Sequence, residues 1–331
     1  MTRLKNTKIS VLDLAMVPQG ATPGDTFSNS AHLAQHVEKL GFTRYWLAEH
    51  HNMEGIASTA TPVLIGHIAA ATTTLRVGSG GIMLPNHAPL VVAEQFGTLA
   101  TLFPERIDLG LGRAPGTDQL TAMALRRDQR AAMDFSQNVT ELQKYLSTDN
   151  QSASVRAFPG EGLEIPIWIL GSSTDSAYVA ASMGLPYAFA AHFAPAQLFE
   201  AIRIYRKNFK PSKQLSEPYV LVCVNLIAAD TDDEAAKLAT SFKRLFLGII
   251  TGKREKLSPP VNPGDFYIDP LEYAALEQMI RYSFTGSAQK IERELEEFVD
   301  ATQANELMFT SPIYDHKSRL HSYEVLAGLR S

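Results

Sequence analysis

Short apolar runs alternate with longer amphipathic stretches along almost the whole chain. Eight of the runs read as strands: Lys8–Ala15, Arg44–Glu49, Leu75–Leu84, Arg106–Leu111, Pro166–Leu170, Tyr187–Ala191, Tyr219–Ala228 and Glu306–Thr310. They are rich in Val, Ile, Leu and aromatic residues, and most are bounded by Gly or Pro. Several are apolar on both faces, as strands of a parallel sheet covered by helices must be. The stretches between them predict helices at Ser28–Leu40, Thr59–Thr72, Leu90–Phe103, Arg130–Leu146, Ser176–Met183, Pro195–Phe209, Asp232–Phe246, Ser287–Thr302 and Lys317–Leu329. The first opens on the polar pair Ser28 and Asn29 and closes at Gly41, a residue suited to a left-handed terminator. Three acidic residues start the Asp232–Phe246 helix, where the helix dipole is positive. Eight strands, each followed by a helix, predict an α/β fold of the (β/α)8 TIM barrel type. A doubly wound sheet is the alternative, but it rarely runs to eight regular repeats.

Two stretches break this rhythm. Ser147–Glu164 is polar and contains glycine. Gly252–Pro270 carries four prolines with Gly264 and reads as an extended insertion between strands seven and eight, a mobile loop within a single domain spanning 1–331. In a barrel, the loop after a strand emerges at the face that carries active sites.

Composition narrows the function classes. With 331 residues, 45% hydrophobic and 20% charged, the chain is globular and long enough to bury a large core. Thirty Lys and Arg against 35 Asp and Glu leave a net charge of −5, which lacks the footprint of nucleic-acid binding. One cysteine, Cys223, forbids an internal disulfide and fits a reducing compartment; in mid-strand it reads as a small buried hydrophobe. The polar stretch from Met1 to Lys8 leads into no secretory apolar region, and no apolar run is long enough for a bilayer. The expectation is a cytoplasmic protein with neither nucleic acid nor membrane as a partner.

Chemistry is therefore sought at the carboxyl ends of the strands. Strand two ends Trp46-Leu47-Ala48-Glu49-His50-His51-Asn52, strand four ends Gly110-Leu111-Gly112-Arg113-Ala114-Pro115-Gly116, and strand five ends Leu170-Gly171-Ser172-Ser173. The Glu-His-His cluster invites a metal, but neighbours in an extended segment point to opposite faces and the HExxH spacing is missing. What stays open is a histidine satisfied at the barrel rim or one catalytic histidine of the pair. Gly80-Gly81 in mid-strand needs either a bulge or the close approach of a planar ligand. Gly110-x-Gly112 fails the dinucleotide spacing, because the next glycine is Gly116. Arg113 and the Gly171-Ser172-Ser173 turn opening a helix could each be ordinary, one as a surface ion pair and the other as an N-cap. Together on adjacent strands they favour a phosphate. His192, at the end of strand six, either lines the pocket or is a plain rim histidine. Met83, Trp46 and Phe189 could roof the site, although such residues are more often core.

These residues carry a resemblance. The Trp46–His51 block, Leu75-Arg76-Val77-Gly78 running to Leu84-Pro85-Asn86-His87, Ala93-Glu94-Gln95, and Arg106-Ile107-Asp108-Leu109-Gly110-Leu111-Gly112-Arg113 together resemble the bacterial luciferase-like flavin monooxygenases. The likeness continues through Gly171-Ser172-Ser173 and Gly184-Leu185-Pro186 to Phe284-Thr285-Gly286-Ser287. It covers nearly all the chain except Gly252–Pro270. The resemblance implies a (β/α)8 barrel that uses reduced FMN (FMNH2), supplied by a separate NAD(P)H:flavin reductase, and O2. The reaction would pass through a C4a-peroxyflavin to a small, fairly apolar substrate. It places His50 at the flavin C4a region, a non-proline cis peptide at Gly80 and Gly81 against the ring, Arg113 on the FMN phosphate, and Gly171, Ser172 and Ser173 completing the site. Metal plays no part in it, and a homodimer follows by analogy with similar barrels. Gly112 stands where light-emitting members carry a cysteine, so luminescence is not implied. Members of the superfamily that use reduced deazaflavin offer a second reading, and a flavin-binding protein without turnover a third. A sugar-phosphate lyase or isomerase, the fourth, needs a lysine at a strand end, and none of the candidate strands ends in one.

Overall fold

The computed structural model describes residues 3–114, 116–125 and 134–330. Pro115 at the end of strand four and the first residues, 130–133, of the helix expected at 130–146 lie outside the described residues. Among the described residues there are ten strands: β1 (Lys8–Asp13), β2 (Arg44–Leu47), β3 (Arg76–Ser79), β4 (Ile82–Met83), β5 (Ile107–Gly112), β6 (Ile167–Gly171), β7 (Tyr187–Ala190), β8 (Val220–Ala228), β9 (Ser283–Gly286) and β10 (Glu306–Thr310). Their ladders are all parallel. Pairing runs β1-β2-β3-β5-β6-β7-β8-β10 and returns from β10 to β1, a closed ring of eight strands. This is the expected (β/α)8 TIM barrel.

Around the ring lie α1 (Arg3–Asn6), α2 (Pro23–Lys39), α3 (Thr61–Ala71), α4 (Pro89–Leu102), α5 (Gln119–Ala124), α6 (Phe135–Leu146), α7 (Thr174–Met183), α8 (Leu198–Asn208), α9 (Asp232–Thr251), α10 (Pro270–Met279), α11 (Ala288–Thr302) and α12 (His316–Gly328). Helix α2 starts five residues before its expected start at Ser28. Thr22 accepts the Asp25 N–H at 3.2 Å, Asp25 accepts the Thr22 N–H at 2.9 Å, and Pro23 opens the helix. That capping box outcompetes the Ser28-Asn29 signal.

The long connection after β8 also differs from expectation. Beyond the 252–270 stretch it holds α10 and the strand β9, neither of which was foreseen. Helix α10 buries only Leu276, and β9 alternates half-buried with buried residues, so both carry weak apolar patterns. Along one edge β8 pairs with β10 over Leu221 to Asn225; along the other it pairs with β7 over Val220 to Cys223 and then with β9 over Asn225 to Ala228.

The barrel interior is packed rather than hollow. Leu12, Trp46, Trp168, Ala188, Leu221, Cys223 and Met308 fill it. Trp46 meets Trp168 edge-on at 5.1 Å between ring centroids, and Trp168 meets Tyr219 at 5.5 Å. Beneath the aromatics, at the amino-terminal pole, lies a charged floor. Asp108 accepts from Arg44 at 2.7 Å, Arg76 at 2.6 Å and the Trp46 indole at 3.2 Å. Glu306 accepts from Arg44 at 2.9 Å, the Tyr219 hydroxyl at 2.8 Å, and Ser10. The floor closes one end, so any ligand space must lie at the other. Among the described residues no helix is long and apolar enough to cross a membrane.

Candidate active site at the barrel mouth

Strand alternation decides what the mouth presents. On β8 the inward column runs Leu221, Cys223, Asn225, while Val222, Val224 and Leu226 pack outward against the helices. Above the aromatic plug, the carboxyl ends of the strands open into two adjoining cavities of about 430 and 480 Å³. Both are of a size that holds a cofactor or small ligand. They share Leu14, His50, Met53, His192, Phe193 and Arg254 as a common wall.

All seven site residues expected from the sequence, His50, Gly80, Gly81, Arg113, Gly171, Ser172 and Ser173, line the 430 Å³ cavity. The Gly80–Gly81 peptide bond is cis and separates β3 from β4. A Cβ on Gly81 would lie 2.7 Å from the Gly110 carbonyl oxygen, and one on Gly80 would lie 2.6 Å from Leu12 Cδ1. The barrel interior behind the pair therefore demands glycine, while its backbone faces the cavity. Gly171 is required in the same way: a Cβ there would sit 2.0 Å from the Ser176 hydroxyl in the first turn of α7.

Ser173 occupies the N-cap position of α7, yet its hydroxyl makes no capping bond. The Thr174 N–H donates to Gln197 at 3.2 Å. The next N–H groups of the first turn have no intrahelical acceptor, by the geometry of any helix. Arg113 reaches this turn and donates to Asp175 at 3.0 Å. Arg113 thus makes the surface ion pair and also lines the cavity beside a helix N-terminus. That donor set suits a phosphate, and the Gly80–Gly81 backbone provides a flat wall for a planar ring.

The Glu-His-His block divides its roles. Glu49, almost wholly buried, accepts from His51 at 2.8 Å, from His87 at 2.9 Å and from the Met83 N–H at 2.9 Å. Burial alone would raise its carboxyl, but the bonds from His87, His51 and Met83 outweigh burial and hold it below its usual value. Glu49 and His51 are thereby structural, tying the end of β2 to the turn after β4. Among the described residues no cluster of His, Cys, Asp and Glu is arranged to hold a metal ion.

His50 instead lines both cavities. Its Nδ1 lies 3.4 Å from the Gly116 carbonyl, an acceptor only, so Nδ1 carries the proton and Nε2 is left as an acceptor. Burial pushes the imidazole below its ordinary value, so it is neutral at physiological pH. His192, on the shared wall, is pushed down to about 3 by burial and by the neighbouring His50. Its placement decides between the two readings of this residue in favour of a pocket-lining one. Of the apolar roof candidates only Met83 lines the site; Trp46 and Phe189 are wholly buried core. Cys223 is buried as expected.

Leu14, Met53, Phe193, Asn225 and Arg254 belong to the site but were not singled out in the sequence. Asn225 lines the 480 Å³ cavity, and a lone amide in the apolar run Tyr219–Ala228 was the available signal. Arg254 lines both cavities from within the 252–270 segment. That segment is seated over the mouth by backbone bonds, Leu257 N–H to Val17 O at 3.0 Å and Gln19 N–H to Leu257 O at 2.8 Å. No sequence pattern marks this lacing.

Comparison with known proteins agrees with this architecture. The family model described as luciferase-like monooxygenase matches residues 7–307. A luciferase-like monooxygenase of Escherichia coli (strain K12) is 51% identical, covering 98% of this chain and 98% of its own length. An N-acetyl-S-alkylcysteine monooxygenase of Bacillus subtilis (strain 168) is 30% identical, covering 97% of each chain. The crystal structure of apo-MsnO8 superposes with a TM-score of 0.89 at 36% identity, covering 98% of each chain. This chain belongs to the luciferase-like monooxygenase family, and with it to the flavin-dependent monooxygenases.

Proposed function

We propose that the protein binds reduced FMN in the 430 Å³ cavity and uses O2 to oxygenate a small, fairly apolar substrate held in the adjoining one. A separate NAD(P)H:flavin reductase would deliver the cofactor. The observation that carries this reading is the convergence of all seven expected residues on one cavity that shares a wall with a second, mainly apolar one. Reduced flavin, when bound, supplies the two electrons that activate molecular oxygen.

The chain's own groups supply the rest. Arg113, with Ser172, Ser173 and the first turn of α7, holds the phosphate, and the Gly80–Gly81 backbone supports the ring. His50 enters as a neutral imidazole whose Nε2 accepts a hydrogen bond or a proton beside the ring. Met53, Phe193 and Leu14 on the shared wall keep water from the reacting centre.

Anaerobic titration with FMNH2 and, in parallel, with reduced deazaflavin tests the cofactor. Tighter binding of FMNH2 is expected, and a preference for deazaflavin overturns the proposal. Arg113→Ala should weaken FMN binding by about 1–3 kcal/mol in calorimetry. An unchanged Kd would remove Arg113 from the site. Turnover is checked by incorporation of ¹⁸O from labelled O2 into the product; tight flavin binding without it would leave the non-catalytic reading.

A further inference from the structure

The 480 Å³ cavity is walled chiefly by apolar side chains, among them Met16, Ile56, Phe246 and Met279. Its polar lining comprises His50, Thr310 and the exposed Asn52, Glu54, Arg254 and Glu255, together with Asn225 and His192, each of which carries a buried polar atom without a partner. Asn225 is wholly buried, and its Nδ2 is committed twice, donating to the His192 carbonyl at 2.7 Å and to the Ser283 hydroxyl at 3.0 Å. Both amide hydrogens are thus spent, which fixes the amide orientation and leaves Oδ1 as a pure acceptor. Among the described residues Oδ1 has no hydrogen-bond partner. The same is true of Nδ1 of His192, which is also buried. Both residues line the cavity, and the bond from Asn225 to the His192 backbone holds them together.

Buried polar atoms without partners are destabilising, and native folds keep few of them. Two such atoms, on residues that line one cavity and are joined by the bond from Asn225 to the His192 carbonyl, make a recognition point whose missing partner is a ligand. We propose that Asn225 is a specificity-determining residue, and that the cavity takes a neutral molecule with an apolar body and one hydrogen-bond donor, a hydroxyl or a secondary amide N–H, which Asn225 Oδ1 accepts. His192, tied to Asn225 through its carbonyl, carries the second unpartnered atom, Nδ1. An apolar wall gains from the body of such a ligand, whereas a ligand lacking the donor buries Oδ1 unpaired. This rests on the proposed function, in which flavin occupies the neighbouring cavity and leaves this one for substrate.

The test uses the intact protein without cofactor, so its outcome is separable from that of the flavin titrations. Calorimetry compares N-hexylacetamide with N-hexyl-N-methylacetamide, which differ in the donor. The secondary amide should bind roughly tenfold more tightly or better. Asn225→Leu, which keeps the side-chain volume and removes the acceptor, should bring the two ligands to within about twofold. Equal binding by the unaltered protein, or a preference that survives in Asn225→Leu, overturns the proposal. Should that variant not fold, a crystal structure of the unaltered protein with N-hexylacetamide decides: the amide nitrogen should lie within hydrogen-bond distance of Asn225 Oδ1. A ligand bound elsewhere overturns the proposal.

Discussion

An imidazole held neutral in the interior makes the fold sensitive to acid. His192 has a pKa of about 3 in the folded chain against an ordinary 6.5, because burial disfavours its charged form. Between those values the unfolded chain binds the proton and the folded chain does not, so unfolding becomes easier as pH falls through this window. The stabilising contribution is complete above 6.5 and erodes below it. Between pH 7 and pH 5 this one group should cost about 2 kcal/mol of stability. Urea unfolding of His192→Phe at both pH values should show a correspondingly smaller loss than the parent; an identical loss would mean His192 is not the group responsible. At this scale much of the site was legible. His50, Arg113 and the paired glycines each break the local pattern of a strand or strand end, and such breaks need a reason. Asn225 breaks its strand in the same way but adjoins no other chemical residue in sequence. Arg254 reaches the mouth only through contacts between distant loops, which leave no local trace.

At the level of elements, the start of α7 shows how closely strand and helix are fitted. Gly171 ends β6, and its missing side chain leaves room for the Ser176 hydroxyl, which donates to the Ser173 carbonyl at 2.7 Å. Gly171→Ala must displace that turn. The expected result is a loss of about 1–3 kcal/mol in stability together with weakened FMN binding, since the same turn is the proposed phosphate seat. Circular dichroism melts and flavin titration of the variant report the two effects, and unaffected flavin binding would separate the turn from the cofactor. The strands themselves were readable because burial on both faces makes them continuous apolar runs. Helix α2 was placed late because a capping box at Thr22 lies in a stretch without apolar periodicity. Helix α10 and strand β9 were missed because neither buries a full apolar face.

Over the whole molecule, the charged floor performs the closure. Glu306 on β10 and Asp108 on β5 share Arg44 of β2, and Ser10 of β1 and Tyr219, just before β8, join the same network. Losing the Glu306 carboxylate leaves the charges of both Arg44 and Arg76 on Asp108 alone. Glu306→Gln should therefore cost about 3–5 kcal/mol in urea unfolding. A cost near zero would show that the aromatic plug alone holds the ring shut. The eightfold count of strands was plain from the alternation of runs, yet this network was not. Its charges sit inside or beside apolar strands, and only closure of the ring brings them face to face. Along one edge β8 takes β7 as its neighbour near the foot and β9 near the lip, with the exchange made between Cys223 and Asn225. A vessel built this way can be recut at the lip without being recast at the foot. Changes between residues 252 and 283 would alter which molecules are admitted while the base stays shut, so divergence in diet among proteins of this shape belongs in the stretch that hangs β9 from β8.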